Sequence, residues 1–413
     1  MAVRLDQVPA MASRPAPPRI WLWLGLLTLL LLACAGATLV FSTPALRQRP
    51  MDFWALALGV PLLIWSMLSF GRALLYISQQ RAADGWDESR VEDLTRKLRR
   101  GRRSQQVLSV SLHTALREPG QEQSRQLDAL LSGTKALKTQ SSWLDSTLLR
   151  HSRLPYGTHE APEQVLLQVM VQVLADLGKT LAQVPDDTPL ALLLEVDSAL
   201  PEHLLHRVWR QAWSESGIRQ STVPVEGDGL EALDHWLDHR IADQALLLVV
   251  AVQFAPQNPE GRAEAAVGLL LGNRLTQNAV PALAYLHRPE AQREPTTEAL
   301  LQAAHQALIW APLDGEPIVH AWRSGVGAQH EEAITTVLAH IRMPMPNTQG
   351  FCNLDSLLGH PGVASSWLPI AAATQAIARG TGPQFIFSGG SCREAGLWST
   401  VLVPVPPLLT KEY

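Results

Sequence analysis

Three thiols, Cys34, Cys352 and Cys392, and thirteen histidines are the nucleophiles and bases that this chain offers. The thiols are too few and too scattered for a disulfide scaffold or a zinc cluster, both of which need several cysteines at close spacing. His235 and His239 lie four apart with Asp234 and Asp238 beside them, and His203 and His206 form a second pair at near-helical spacing. Either pair could ligate a metal only with a third committed ligand nearby, and none is evident, so solvated helix faces are the better reading. No phosphate-binding loop, dinucleotide fingerprint, His-Glu-x-x-His or Gly-x-Ser-x-Gly elbow occurs. Neither a metal nor a cofactor is therefore expected.

Composition narrows the classes further. Among 413 residues, 34 are Lys or Arg and 38 Asp or Glu, for a formal charge of −4. That balance excludes a polybasic nucleic-acid binder and an acidic disordered tail as descriptions of the whole chain. Only 17% of residues are charged, against roughly 25% in ordinary globular proteins. Much of the deficit sits near the N-terminus, where Ile20 to Phe41 and Phe53 to Gly71 are free of charge. Each is long enough to cross a hydrocarbon core of about 30 Å at about 1.5 Å per residue. Arg14 and Arg19 ahead of the first run, and the small residues Ala33, Ala35 and Ala37 near its end, also fit a cleaved signal peptide. The length of the run and the second run following at once favour a hairpin of two transmembrane helices.

Orientation follows from the basic flanks. Arg4, Arg14 and Arg19 precede the first run, whereas nine basic residues against five acidic ones lie between Arg72 and Arg103. The positive-inside rule then places both termini in the cytoplasm. Arg19 and Arg72 would snorkel to the inner interface, and Trp21 and Trp54 are the residue type that anchors helix ends there. The cluster Arg96, Lys97, Arg99, Arg100, Arg102 and Arg103 has few aromatics interleaved, so an anionic-lipid contact or a solvated helix face is expected rather than nucleic acid.

These segments divide the chain into a leader (1–19), the two spans (20–77), a polar, basic helical stalk (78–153), a globular domain (154–407) and a tail (408–413). In the stalk, the acids from Asp84 to Asp93 and the basic cluster after them suit the two ends of a helix dipole. Within the globular part, helical spacing over Glu163 to Leu181, Glu202 to Trp213 and Gly229 to Asp238 alternates with apolar runs of strand length. Those runs are Pro189 to Val196, Gln244 to Phe254, Ala265 to Gly272 and Ala282 to Leu286. Glu298 to Ala311 reads as a helix running into a strand. The second half repeats the theme with helices over Glu331 to Ile341 and Val363 to Ala378 and strands over Gln384 to Ser388 and Leu397 to Val403. Apolar runs without period-two alternation indicate a sheet covered on both faces, hence a layered α/β/α domain.

Several segments resemble the β-ketoacyl synthases of the thiolase-like superfamily. Asn353 to Ala378, NLDSLLGHPGVASSWLPIAAATQAIA, is similar to the stretch in which a Gly-His pair opens a long Ala-rich helix. Gln384 to Val403, QFIFSGGSCREAGLWSTVLV, is similar to the family's closing hairpin. Asp314-Gly315-Glu316 with Ala321-Trp322-Arg323 resembles a stretch opening the second half, and Gly229 to Val249 with Ala265 to Leu271 resembles the elements after the nucleophile. The resemblance implies a thiolase-like fold and a cysteine at a strand-to-helix turn that attacks an acyl thioester. The corresponding position falls near Glu226 or Gly227, and no cysteine lies between Cys34 and Cys352. The family's His-Gly-Thr loop finds no counterpart around Trp310 to Asp314.

His360 is what remains of the family's triad, as a base or, more simply, a structural histidine. Cys392, in the closing turn, could approach the old pocket but is better read as a small packed thiol. The resemblance therefore implies a degenerate, membrane-anchored relative similar to accessory proteins of type VI secretion loci. Its expected role is a non-catalytic adaptor at a bacterial inner membrane, with its globular domain in the cytoplasm. Its expected partners are the membrane, a secreted effector or secretion component, and a second copy of itself, with no nucleic acid. The alternative is an acyl-thioester-processing decarboxylase or acyltransferase that uses His360.

Overall fold

The structure is a computed structural model that describes residues 3–5, 7–41, 43, 49–118, 120, 123–143, 147–156, 160–273, 275–276, 280–313, 317–344, 350–390 and 396–406. Residues 4–98 form one compact unit, and residues 99–413 belong to another.

In the first unit, α1 (Ile20–Phe41) and α2 (Pro50–Gly101) are long and apolar enough to cross a membrane by length and composition. Around Pro61 the second helix widens into a π turn at Ala55–Gly59. Proline lacks the amide proton and crowds the carbonyl four residues back, so the local pitch must relax. The Trp65 indole N–H donates to the Trp23 carbonyl at 2.7 Å, tying the two helices together. The leader runs back along α2. Arg14 pairs with Asp84 and Asp87, the Ala12 amide donates to Asp87 at 2.9 Å, and Arg90 Nε donates to the Pro9 carbonyl at 2.7 Å. The acids expected to start a helix thus sit in the middle of one, where the leader's cations hold them.

The second unit begins with the last residues of α2 and then β1 (Ser104–Thr114), α3 (Gln123–Leu131), β2 (Lys138–Ser141), β3 (Leu148–His151) and α4 (Pro162–Leu181). Next come β4 (Leu190–Asp197), α5 (Glu202–Ser216), β5 (Thr222–Pro224), α6 (Gly229–His239), β6 (Leu246–Gln253) and β7 (Ala265–Gly272). The second half holds β8 (Ala284–His287), β9 (Glu290–Ala291), α7 (Thr297–Trp310), β10 (His320–Ser324), α8 (Glu331–His340), β11 (Phe351–Asn353), α9 (Leu354–Leu358), α10 (Leu368–Ala378), β12 (Gln384–Ser388) and β13 (Trp398–Pro404).

One pattern is used twice. The first half of the sheet has the order β5-β4-β6-β7-β1 and the second β11-β10-β12-β13-β8. In each half the first three strands are parallel and the last two antiparallel to their neighbours. The halves join where β1 pairs antiparallel with β8 from Ser104↔His287 to Val107↔Ala284. Parallel neighbours require a crossover, which α5, α8 and the helices after β5 and β11 supply.

Burial explains the runs without alternation. On β6, Leu246, Leu248, Val250 and Val252 face the core under α4 and α5, and Leu247, Val249 and Ala251 face the core under α6 and α10. Both faces are covered, so both must be apolar. That second core also takes Trp322, Ile386 and Leu402 from the other half, so α6 and α10 lie between the two half-sheets. Helix α10 is buried almost all round, which is why it is rich in alanine. Helices α7 and α8 cover the outer face of the second half through Ala321, Phe385 and Phe387. The expected layered α/β fold is the one found.

The polar stalk over 78–153 does not hold as drawn. Residues 104–114 are a buried strand in the middle of the sheet. Ser111 and His113 look solvent-facing in sequence, but they are bonded inside the fold. Ser111 Oγ donates to Asp176 at 2.9 Å and lies 3.1 Å from His113 Nε2, and Arg117 Nη1 lies 2.9 Å from that nitrogen. The basic cluster also departs from a purely lipid-facing or solvated role. Arg100 clasps Asp238 at 2.7 and 2.6 Å, and Arg103 Nη1 donates to the carbonyls of Leu237 and Asp238 at 2.8 and 3.1 Å. Both guanidinium groups sit at the carboxyl end of α6, where the helix dipole favours positive charge. The strand expected at the end of Glu298 to Ala311 forms later, at His320–Ser324.

Candidate functional site

The parallel strands β4 and β6 end beside the start of α6, the place in an open α/β sheet where ligands gather. At this edge, ahead of the Asp197 that ends β4, the strand's apolar run is interrupted by one carboxylate, Glu195, 8% exposed. Its Oε1 accepts the Gly229 amide at 2.6 Å and its Oε2 the Trp367 indole N–H at 3.0 Å. The side chain of the N-cap residue Asp228 makes no capping bond, so Glu195 caps α6 from another strand and meets the helix's positive end. Burial raises this carboxyl to about 7, with Asp228 adding to the rise against the two hydrogen bonds. A pocket of about 290 Å³ opens here, lined by Glu195, Asp228, Gly229, Leu230, Glu231, Val363, Ser366, Gly390 and Trp398.

His360 does not line it. Its Nδ1 accepts the Gly362 amide at 3.1 Å and lies 3.2 Å from Arg262 Nη1, while its backbone bonds to Gly261 and Ala263 at 2.9 Å. An Nδ1 that accepts leaves the proton of the neutral ring on Nε2. The histidine is 5% exposed and fastens a turn. The same turn is pinned by Gln253, whose Oε1 accepts the Val363 amide at 3.1 Å and whose Nε2 donates to Asp197 at 2.8 Å. At Gly362, with φ of +52°, a Cβ would overlap the Gln253 side-chain oxygen. Gln253 is fully buried and doubly bonded, so it cannot swing aside. Gly362→Ala is therefore expected to lower stability by about 2–4 kcal/mol, from the left-handed backbone and overpacking together. A denaturant titration of the full chain in detergent, followed by tryptophan fluorescence, would show the shift in midpoint.

Glu226 is exposed in the loop before α6 and does not line the pocket. Cys392 and the segment Asp314-Gly315-Glu316 lie outside the described residues. Cys352 is buried on β11, and burial pushes its thiol up to about 12, far from a nucleophile's range. His235 and His239 stack at 4.2 Å on an exposed face of α6, and His203 and His206 are exposed on α5. Among the described residues no group of three His, Cys, Asp or Glu could hold a metal ion. Arg19 precedes α1, Trp21 and Trp54 lie exposed in the first turns of α1 and α2, and Arg72 lies within α2. Glu195 was missed in sequence, although a lone carboxylate inside an apolar strand run is a readable signal.

No family model matches the chain, and no curated protein matches it. Similar solved structures include a type II polyketide synthase acyl-carrier protein in complex with its ketosynthase, AntDE:AntF. That chain is 10% identical, with 73% of this chain and 99% of that one covered and a TM-score of 0.49. The oxazolomycin ketosynthase domain OzmH KS8 of Streptomyces albus is 12% identical over 73% of this chain and 96% of that one, with a TM-score of 0.45. A fungal type III polyketide synthase, ORAS, is 11% identical over 73% and 100%, with a TM-score of 0.40.

Proposed function

We propose that the globular unit is a ketosynthase-like domain kept for binding rather than for condensation. In this reading α1 and α2 anchor it to a bacterial inner membrane with the domain in the cytoplasm, where it serves as an adaptor for a protein partner such as a type VI secretion effector. One observation carries the non-catalytic part. The start of α6, where the resembling family places its thiolate, has the sequence Glu226-Gly227-Asp228-Gly229, and its first amide is taken by Glu195. A thiolate or oxyanion needs such amides free and positive potential around them. Here a carboxylate fills that place and two more, on Asp228 and Glu231, line the pocket. His360, with Nδ1 engaged by the backbone, supports the same reading.

The test is turnover. Full-length protein in detergent, given acyl and malonyl thioesters, is expected to release no free thiol or CO₂ above buffer, with His360→Ala indistinguishable from the parent. Turnover that vanishes in His360→Ala would replace the adaptor with an acyl-thioester-processing enzyme. The partner is sought by crosslinking in cells that carry a secretion locus, where a locus-encoded effector is the expected adduct. Pairing of two copies along β5, an exposed edge strand, is a further expectation that sedimentation would check.

A further inference from the structure

We infer that the helical hairpin holds one anionic phospholipid in a dedicated pocket between α1 and α2. The inference rests on the membrane location proposed above and goes beyond it, because a merely snorkelling arginine requires no pocket. The cavity, about 260 Å³, is lined by Pro18, Ile20, Trp23 and Leu24 from the first helix and its approach, and by Trp65, Ser69, Arg72 and Ala73 from the second. Its walls are indole and aliphatic. One cation lies among the lining residues, and no carboxylate does.

The depths of these groups match a lipid. Arg72 is seven residues from Trp65, about 10 Å along the helix, so a phosphate at the guanidinium leaves an acyl chain to run down between the indoles. Trp65 cannot rotate freely to close the space, because its N–H is committed to the Trp23 carbonyl at 2.7 Å. Ser69 lies one turn below Arg72, and its hydroxyl is buried without a hydrogen-bond partner among the described residues. In an apolar setting such a group is costly, and a lipid phosphate or glycerol ester oxygen within reach would satisfy it. A guanidinium and a hydroxyl one turn apart above an apolar slot select an anionic diacyl lipid over a zwitterionic one, whose ammonium would meet Arg72.

The experiment uses the full chain. Membrane integration is established first, by resistance to alkaline carbonate extraction. Protein in mild detergent is then exchanged into micelles doped with phosphatidylglycerol or phosphatidylcholine, and native mass spectrometry counts the lipids retained. One phosphatidylglycerol per chain is expected, with retention reduced about tenfold in Arg72→Leu and less in Ser69→Ala, as befits a charged and a neutral contact. Trp65→Leu should weaken retention of both lipids, whereas Arg49→Leu, ahead of α2 and outside the pocket, should change nothing. Equal retention of the two lipids, or of phosphatidylglycerol by parent and Arg72→Leu, would overturn the site while leaving the membrane reading intact. Release of the protein by carbonate would overturn both.

Discussion

Arg288→Met is expected to cost the globular unit about 3–5 kcal/mol, the range seen when one member of a buried ion network is removed. The guanidinium is fully buried and lies 2.6 Å from Asp234 and 2.8 Å from Asp238. Burial alone would raise both acids. For Asp238 the hydrogen bonds from Arg100 and Arg288 outweigh it and hold the carboxyl well below the usual range, whereas Asp234 stays raised. Without Arg288, Asp234 must take up a proton or draw in water. Because Arg288 follows β8 and both acids belong to α6, the loss also loosens the second half's first strand from the first half's inner helix. Denaturant midpoints of the full chain in detergent measure the loss. Arg288→Met combined with Asp234→Leu should recover part of it, since no unpaired acid then remains beside Asp238, which keeps Arg100. A change below about 1 kcal/mol in the single variant, the size of an exposed pair, would mean that the network is solvated.

Stability is expected to fall as pH rises from about 6.5 to 8, opposite to the behaviour of a protein held by paired carboxylates. Glu195, Glu264 and Glu290 are each raised to about 7, in every case chiefly by burial. Each is at least nine-tenths buried. Glu264 accepts the amides of Leu154 and Ala255 at 3.0 and 3.1 Å, and Glu290 accepts the Trp310 indole N–H at 2.6 Å. An acid whose folded value lies above its unfolded one binds its proton more tightly when folded. Deprotonation near pH 7 therefore favours unfolding, by a few kcal/mol for the three together. Below about 6.5 the trend is opposed by His113 and His287, which burial lowers, His287 to about 4. Their imidazoles stay neutral in the fold and charge on unfolding, which makes the decline shallower between about pH 5 and 6.5 without reversing it, because three raised acids outnumber two lowered histidines. Thermal scans across this window check the sign. Glu264→Gln should flatten the slope, because it removes the titration while keeping an acceptor for one of the two amides. A midpoint that rises from pH 6.5 to 8 would contradict the burial of all three groups.

How much of this was readable in advance depended on how local the causes were. Helices α4, α5, α6 and α8 declare themselves because their apolar positions recur at helical period within one segment. β4, β6 and β7 do so because a strand covered on both faces must be apolar throughout. β1 did not, because its polar residues are buried against partners such as Asp176, far away in sequence. Arg100 and Arg103 look like part of a solvated basic face until α6 is folded against them. Glu195 was visible as an oddity in an apolar run, but its meaning depends on Gly229 and Trp367, respectively 34 and 172 residues away.

By itself the sequence determined two apolar runs of membrane-spanning length, the alternation that makes a layered α/β domain, and the lack of a thiol from Cys34 to Cys352. These are properties of composition and of short-range period, which survive without knowledge of contacts. Only the tertiary structure decided that one strand–helix pattern is used twice about the β1–β8 pairing. It also decided that the start of α6 is capped by a carboxylate from β4, and that Glu226 and His360 do not meet in the pocket. Those outcomes rest on hydrogen bonds and ion pairs between distant residues. Desolvation sets the strength of such bonds, and desolvation exists only once both partners are buried together.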